Sequence, residues 1–435
     1  MSIKKICVLG LGYIGLPTAC TFANHGLKVI GVDVNLQIVD TLRKGGLHIQ
    51  EPGLQDMFIT AIQSKKLLIQ EIPETADVFI IAVPTPFLED KKADLSYVIS
   101  ASETITPFLR PGNLVILEST SPPRTTSDIV APILENSGLK AGEDFHLVYS
   151  PERVLPGRIL EELIYNARVI GGINQKSADA GYRLYSIFVK GEIVLTDATT
   201  AEMVKLMENT YRDVNIAVAN EFSRLADRFG VDIWRAISIA NKHPRVNVLS
   251  PGPGVGGHCI GVDPWFLVEA APDITPLIRT ARQVNDAQPE FVIEIIKRGY
   301  GMDAPSDLSG KRISILGLAY KPGVDDLRQS PAVAISRKLS EYGAVICAYD
   351  PYINDKEIPG IEIVQSWQSA VEHSELIALL VAHDLFKKLP PEELARNTQA
   401  RVVVDAVNVW SSTAWRTAGF TVLNLGNGKI GHKYN

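Results

Sequence analysis

Residues 251–264 read PGPGVGGHCIGVDP, a run that ends four glycines and two prolines on a single thiol, Cys259. Gly252, Gly254, Gly256 and Gly257 let backbone approach a ligand closely, and the prolines bar both a helix and a central strand. A loop of this kind can wrap a phosphate with its N–H donors and present one sulfur at its end. Asp263 follows four residues later as an acid or water-holding group. A lone cysteine is only a candidate nucleophile, and free cysteines commonly act as small buried hydrophobes. The catalytic thiol and the inert one both stand at this point.

Lys205, Asn209 and Asp213 form a second set, spaced i, i+4 and i+8 in a stretch with helical periodicity from Ala201 to about Arg228. That spacing aligns them along one helix face. Charges on a helix usually form a solvated stripe, but here Val204, Leu206, Met207, Val214, Ile216, Ala217 and Val218 surround them on several sides. A helix apolar nearly all round is usually buried, and a buried Lys and Asn need partners. Thr199 and Thr200 read as its N-cap, with Glu202 in the first turn.

The N-terminus offers a cofactor site. Ile6–Leu9 reads as a buried strand. Gly10-Leu11-Gly12-Tyr13-Ile14-Gly15 follows, then a helix over 16–24 and a second strand, Lys28–Val32, ending at Asp33. Strand, three spaced glycines, helix, strand and acid together make the dinucleotide fingerprint. The pyrophosphate sits on the helix N-terminus. Asp33 holds the ribose hydroxyls and repels a 2′-phosphate, so the expected cofactor is NAD.

Three further strands, 76–83, 113–117 and 145–149, run into Pro84-Thr85, Glu118-Ser119-Thr120 and Ser150-Pro151-Glu152-Arg153. Ligands of open parallel sheets bind beyond the carboxyl ends of the strands, which directs Thr85, Thr120 and Glu152 toward one crevice. A helical pattern covers 276–298, and 299–309 has linker composition. A second α/β unit begins at Arg312. Its Gly317-Leu-Ala-Tyr320-Lys321 turn lacks the third glycine, so no second NAD site is expected. Lys321 and Arg328 lie near its strand ends, where Asp325 and Asp326 are alternative partners. The fold class is α/β: two Rossmann-like doubly wound domains joined by a long central helix and a helical middle, divided at 1–198, 199–300 and 301–435.

The totals exclude several functions. Net charge is −6 over 435 residues with no basic block, which argues against nucleic acid or an anionic membrane. The four cysteines are scattered, so neither a zinc site nor a disulfide framework is expected, and reduced thiols fit the cytoplasm. No apolar run is long enough to span a bilayer. NAD beside a thiol suggests oxidation at the aldehyde level through a thioester. NAD beside a buried Lys and Asn also suits a simple alcohol or β-hydroxyacid dehydrogenase, with Cys259 incidental. A protein that merely senses NAD is a third reading.

Over nearly its whole length the chain resembles the UDP-glucose/GDP-mannose 6-dehydrogenase family. The resemblance rests on GLGYIGLP, VPTP, EST, SPERVLPG, AEMVKLMENTYRDVNIA, GPGVGGHCIGVDP and GLAYKPGVDDLRQSP. It implies oxidation of a UDP-sugar C6 alcohol to a carboxylate by two NAD and one water. By this resemblance Cys259 is the nucleophile, and Lys205 and Asn209 stabilise the oxyanion. Glu152 serves thioester hydrolysis, and Thr120 and Asp263 hold water. Gly10, Gly12, Tyr13, Ile14, Gly15, Asp33, Pro84, Thr85, Thr120 and Arg328 contact the cofactor. Glu152, Arg153, Val154, Lys205, Asn209, Gly256, Tyr320 and Lys321 contact the substrate. Arg245 or His243 matches a basic residue supplied by a neighbouring subunit of a homodimer or higher oligomer. HPRVNVLSPGPGVGGHCIGVDPWF and SPERVLPG are most similar to family members acting on UDP-N-acetyl-D-mannosamine. Pro156 stands where UDP-glucose enzymes carry a second acid.

Overall fold

The computed structural model describes residues 3–88, 91–257, 259–301, 307–353 and 356–428. Residues 302–306 of the expected linker lie outside the described residues. The chain divides into two compact units, Met1–Glu208 with Trp265–Ile274, and Asn209–Pro264 with Thr275–Asn435.

The first unit is built on an eight-stranded sheet. Its strands are β1 (Lys5–Leu9), β2 (Lys28–Val32), β3 (Leu67–Gln70), β4 (Val78–Ile81), β5 (Leu114–Leu117), β6 (His146–Tyr149), β7 (Arg168–Gly172) and β8 (Ile193–Asp197). They lie in the order 3-2-1-4-5-6-7-8. The first six make the doubly wound dinucleotide order. All pairs are parallel except β6 with β7, where Val148 faces Gly172 and Tyr149 faces Gly171. The inner strands are apolar without alternation because both faces are covered. Ile6 and Val8 of β1 pack into one core layer and Cys7 and Leu9 into the other.

The second unit repeats the theme with β9 (Arg312–Leu316), β10 (Val345–Tyr349), β11 (Ile361–Ile363), β12 (Leu376–Leu379), β13 (Val402–Asp405) and β14 (Thr421–Asn424). The order is 11-10-9-12-13-14, and every pair is parallel. This is the same 3-2-1-4-5-6 sequence of strands.

Between the sheets in sequence lie the helices Ala198–Phe229, Ile233–Ala240, Asp263–Ala270, Pro276–Asp286 and Gln288–Arg298. The long helix starts earlier than expected. Strand β8 runs into it without a loop, and Asp197, not Thr199 or Thr200, caps it by accepting the Thr200 N–H at 2.9 Å and its hydroxyl at 2.6 Å. Because the helix starts at Ala198, Glu202 lies beyond its first turn. It is fully buried and accepts from the Arg124 and Thr126 amides and the Thr126 hydroxyl. Burial raises its pKa to about 7. The single helix expected over 276–298 is two, broken at Ala287. Pro289 fits the first turn of the second helix, where no N–H is required, but cannot continue the first.

Candidate active site

The glycine turn after β1 has the shape a pyrophosphate requires. Gly10 adopts φ +87°, and a Cβ there would stand 2.6 Å from the Ala82 carbonyl oxygen. A Cβ on Gly15 would stand 1.8 Å from the Gly10 carbonyl oxygen, so that glycine is what lets helix Gly15–Asn24 sit against the turn. Nothing lies within 4 Å of a Cβ on Gly12. The turn thus leaves room at that position for a pyrophosphate on the helix N-terminus. Tyr13 and Ile14 complete the turn, half-buried. Asp33 ends β2 half-buried, with one carboxylate oxygen accepting the Leu11 amide at 2.8 Å and the other the Asn35 amide at 2.9 Å. This fixes the carboxylate at the place where a ribose would meet it. Pro84 and Thr85 follow β4, and Thr120 follows β5, all at the carboxyl edge of the sheet.

On the same edge Glu152 follows β6. Its carbonyl oxygen accepts the Lys205 ammonium at 2.9 Å, and its carboxylate accepts the Arg153 amide at 2.7 Å. Lys205 is thus buried with a partner supplied by the very loop singled out from the sequence. The Glu152 carboxylate pairs neither with the Arg153 guanidinium nor with Arg158. Its partner is the buried Arg168 at the start of β7. Arg153 pairs instead with Glu208 at 2.6 Å, and Arg158 with Glu161 at 3.1 Å. Val154 packs on the core. Glu51 braces the loop beyond by accepting the Gly157 and Ile159 amides.

In the second unit Asn209 donates to the Asp263 carboxylate at 2.5 Å, and both are buried. Asp263 opens helix Asp263–Ala270, and its amide bonds the Cys259 carbonyl at 2.8 Å. Cys259 is exposed, whereas Cys7, Cys20 and Cys347 are buried. Burial pushes the Cys7 and Cys20 thiols up to about 12 and Cys347 to about 11, which leaves them inert near neutral pH. The glycine loop is partly occupied by its own chain. The Gly252 amide bonds the Asn220 side chain and the Gly257 amide bonds the Arg328 carbonyl. Gly256 and Gly257 lie so close to Tyr320 that a Cβ on either would come within 3.0 Å of its side chain. Loop 251–257 and the 320–328 turn therefore form one surface, which brings Gly256, Tyr320 and Arg328 together. The Arg328 guanidinium pairs with Asp326 at 2.7 Å, half exposed, and Lys321 reaches over the Tyr320 ring. Arg245 and His243 are exposed, linked by the Arg245 amide to the His243 ring.

Asp213, the third member of the helix stripe, is structural. It is buried against Arg282 and Asn285. Sequence reasoning missed Arg282, because its partner lies 69 residues away. It also missed Glu118, Arg168 and Tyr185, which join Glu152 in one buried cluster.

The second sheet explains its own lack of a dinucleotide fingerprint. Asp350 ends β10, the counterpart of Asp33 at the end of β2. One of its oxygens accepts the Leu318 and Ala319 amides and the His383 ring, and the other accepts the Tyr352 amide. The pair is sealed from solvent. The Gly323 amide donates to the other His383 nitrogen.

Three models of one family cover most of the chain: the NAD binding domain over residues 4–189, the central domain over 199–287 and the UDP binding domain over 314–412. A relative from Methanococcus maripaludis, UDP-N-acetyl-D-mannosamine dehydrogenase, is 47% identical across 98% of both chains. The chain belongs to the UDP-glucose/GDP-mannose dehydrogenase family. A Ralstonia solanacearum relative, NDP-N-acetyl-D-galactosaminuronic acid dehydrogenase, is 45% identical over 95% of this chain and 97% of its own. Among solved structures, a UDP-D-ManNAc dehydrogenase from Pyrococcus horikoshii superposes with a TM-score of 0.90. It is 41% identical, over 98% of this chain and all of that one. As a member of the UDP-glucose/GDP-mannose dehydrogenase family, the protein is an NAD-dependent nucleotide-sugar dehydrogenase. The first sheet is its NAD binding domain and the second its UDP binding domain. Among the described residues no helix is long and apolar enough to cross a membrane.

Proposed function

We propose that the protein oxidises the C6 alcohol of UDP-N-acetyl-D-mannosamine to the uronate, supplying a precursor for surface polysaccharide. In this reading residues 1–198 bind NAD, 199–300 carry catalysis and association, and 301–435 bind the UDP-sugar. Bound NAD supplies the hydride acceptor for both oxidations. The observation that carries the chemistry is the contrast among the cysteines: one thiol is exposed, at the end of the glycine loop, and the other three are buried.

Cys259 acts as the nucleophile. Its thiolate adds to the aldehyde carbon formed by the first oxidation, which keeps the aldehyde from escaping. The thiohemiacetal that results is oxidised to a thioester. Lys205 and Asn209 stabilise the oxygen as charge develops on it, a role for preorganised donors. Their present bonds, to the Glu152 carbonyl and to Asp263, hold each side chain in a single orientation. Water cleaves the thioester, with Glu152 taking its proton and Thr120 and Asp263 orienting it. Arg153, Val154, Gly256, Tyr320 and Lys321 contact the UDP-sugar, and Arg328 reaches the cofactor. Arg245 acts on the sugar of a neighbouring subunit in a homodimer or higher oligomer.

The substrate assignment is supported by the 47% identity to a UDP-N-acetyl-D-mannosamine enzyme and by Pro156, which replaces an acid of the UDP-glucose enzymes. A second reading keeps the reaction and changes the epimer, to UDP-N-acetylglucosamine or another UDP-hexose. The 45% identity to an enzyme named for an N-acetylgalactosaminuronic acid favours it. NADH formation against a panel of UDP-hexoses tests both. Fast turnover of UDP-N-acetyl-D-mannosamine with two NADH per sugar is expected. One NADH per sugar would return the protein to the simple alcohol dehydrogenases.

A further inference from the structure

The carboxyl edge of the first sheet holds a charge cluster in which two carboxylates share one guanidinium. Glu118 follows β5, Ser150 and Glu152 follow β6, and Arg168 opens β7. Arg168 stands among them because β7 runs against β6. Extending the register past Tyr149 and Gly171 sets Arg168 beside Glu152. One nitrogen of its guanidinium donates to Glu152. The other donates to Ser150 at 3.1 Å and to Glu118 at 3.4 Å. The guanidinium also lies over the Tyr185 ring, 4.1 Å from its centre, and the Tyr185 hydroxyl donates to Glu118 at 2.5 Å. Arg168 and Glu118 are almost wholly buried. Among the described residues the second oxygen of Glu118 has no hydrogen-bond partner.

We propose that Arg168 is a positioning residue for the carboxylate of Glu152, and that Glu118 is the competing anion that sets how firmly Glu152 is held. This rests on the role given to Glu152 above. In thioester cleavage the water oxygen bonds to the acyl carbon and the carbon–sulfur bond breaks. The electron pair leaves on the Cys259 sulfur, and one proton of the water passes to Glu152. The other proton departs as the product carboxyl ionises. A carboxylate doing this must keep one oxygen aimed at the water while the other is tied. Arg168 ties one oxygen through a planar fork that a lysine cannot reproduce, while the other oxygen accepts the Arg153 amide at 2.7 Å and keeps a lone pair for the water.

Two carboxylates share that fork. The groups facing Glu118 are Arg168 from β7, Tyr185 from helix Gln175–Tyr185 and Glu152 from the loop after β6. Lys205, bonded to the Glu152 carbonyl, is the other cation beside Glu152. Burial raises Glu118 to about 7, with Arg168 pulling it down and Glu152 pushing it up. Below that pH Glu118 is neutral and the guanidinium faces Glu152 alone. Above it the two anions compete, and the tie on Glu152 loosens.

The test uses the whole enzyme with UDP-N-acetyl-D-mannosamine and NAD, read by rapid-mixing NADH bursts and by intact mass. Arg168→Lys is expected to keep the burst of two NADH per active site and to accumulate a thioester adduct on Cys259. Its steady-state kcat should fall by roughly 100-fold, the cost of misplacing a catalytic group by about 1 Å, and KM should fall with it because the adduct accumulates, leaving kcat/KM nearly unchanged. Glu118→Gln is expected to lose the break near pH 7 in the deacylation rate. If Arg168→Lys deacylates as the wild type does while Glu152→Gln accumulates the adduct, the positioning role is overturned and the role of Glu152 stands. If Glu152→Gln deacylates normally, both fall. Should Arg168→Lys fail to fold, Glu118→Gln decides, because an unchanged pH profile overturns the proposal.

Discussion

At the scale of single residues the proposed site separates groups assigned to the chemistry from groups that hold them. Cys259→Ser is expected to abolish steady-state turnover while NAD binding, followed by quenching of protein fluorescence, stays as in the wild type. Near-normal kcat in that variant would remove the thiol from the mechanism. Asp33 is expected to make NAD the preferred cofactor, because a 2′-phosphate would meet a fixed carboxylate and like charges in contact cost several kcal/mol. Equal kcat/KM for NADP would refute this. Glu118 gives a stability prediction with a definite sign. Its folded pKa of about 7 lies above the ordinary 4.5. Between those values the folded chain keeps a proton that the unfolded chain has released, so stability falls as pH rises through that window and levels off above it. Glu118→Gln keeps an acceptor for Tyr185 and Arg168 and removes the titration. The difference in Tm between wild type and variant should change between about pH 4.5 and 7 and be constant above. A difference that does not vary with pH would count against the shift.

At the scale of elements the glycine turn separates folding from binding. Gly12→Ala meets no atom within 4 Å, so the variant should fold with an unchanged Tm and bind NAD poorly. Gly15→Ala drives a Cβ into the Gly10 carbonyl and should lose stability outright. If calorimetry finds both variants equally stable, the packing role of Gly15 is wrong. The start of helix Ala198–Phe229 makes a smaller claim. Asp197→Ala removes its cap and should cost about 1 kcal/mol in urea unfolding. These elements also show what the sequence makes legible. The inner strands other than β7 read directly as short apolar runs, because burial on both faces leaves no alternation to interpret; β7 does not, since two of its five residues are glycine. Edge strands β3, β8, β11 and β14 were not read, since each is short or half exposed and its pattern merges with loop composition. Helix Asp263–Ala270 was not read because Phe266, Leu267 and Val268 are consecutive and all buried, which erases the helical period. The lysine–asparagine stripe was legible from spacing alone. Its partners were not, because the Glu152 carbonyl, Asp263 and Arg282 come from distant segments, and local pattern carries no information about such pairs. Arg168 was hidden for a topological reason: only the reversed direction of β7 brings its first residue to the carboxyl edge.

At the scale of the molecule the long helix leaves apolar side chains uncovered. Phe222, Leu225 and Phe229 are each about half exposed or more, and with Val231, Ile237 and Val248 they line an apolar groove. Light scattering at micromolar concentration is expected to give a dimer or larger assembly. The double variant Phe222→Glu with Phe229→Glu should be monomeric, since two carboxylates on that face would have to be desolvated on association. Wild-type monomers would refute the association and any action of Arg245 across subunits.

Asp350 and His383, locked together at the end of β10, bear on how an enzyme with two nucleotide-binding sheets keeps its ligands apart. NAD and a UDP-sugar share a ribose and a pyrophosphate. Were Asp350 as available as Asp33, NAD could settle on the second sheet and exclude the substrate. Both acids accept chain amides at each carboxylate oxygen, but Asp33 is half-buried whereas Asp350 is sealed from solvent and also bonds the His383 ring. The pair is therefore expected to work as a molecular blank key: the fold is repeated, the acid at the ribose-reading position serves as a brace, and NAD should bind the first sheet without competing for the second.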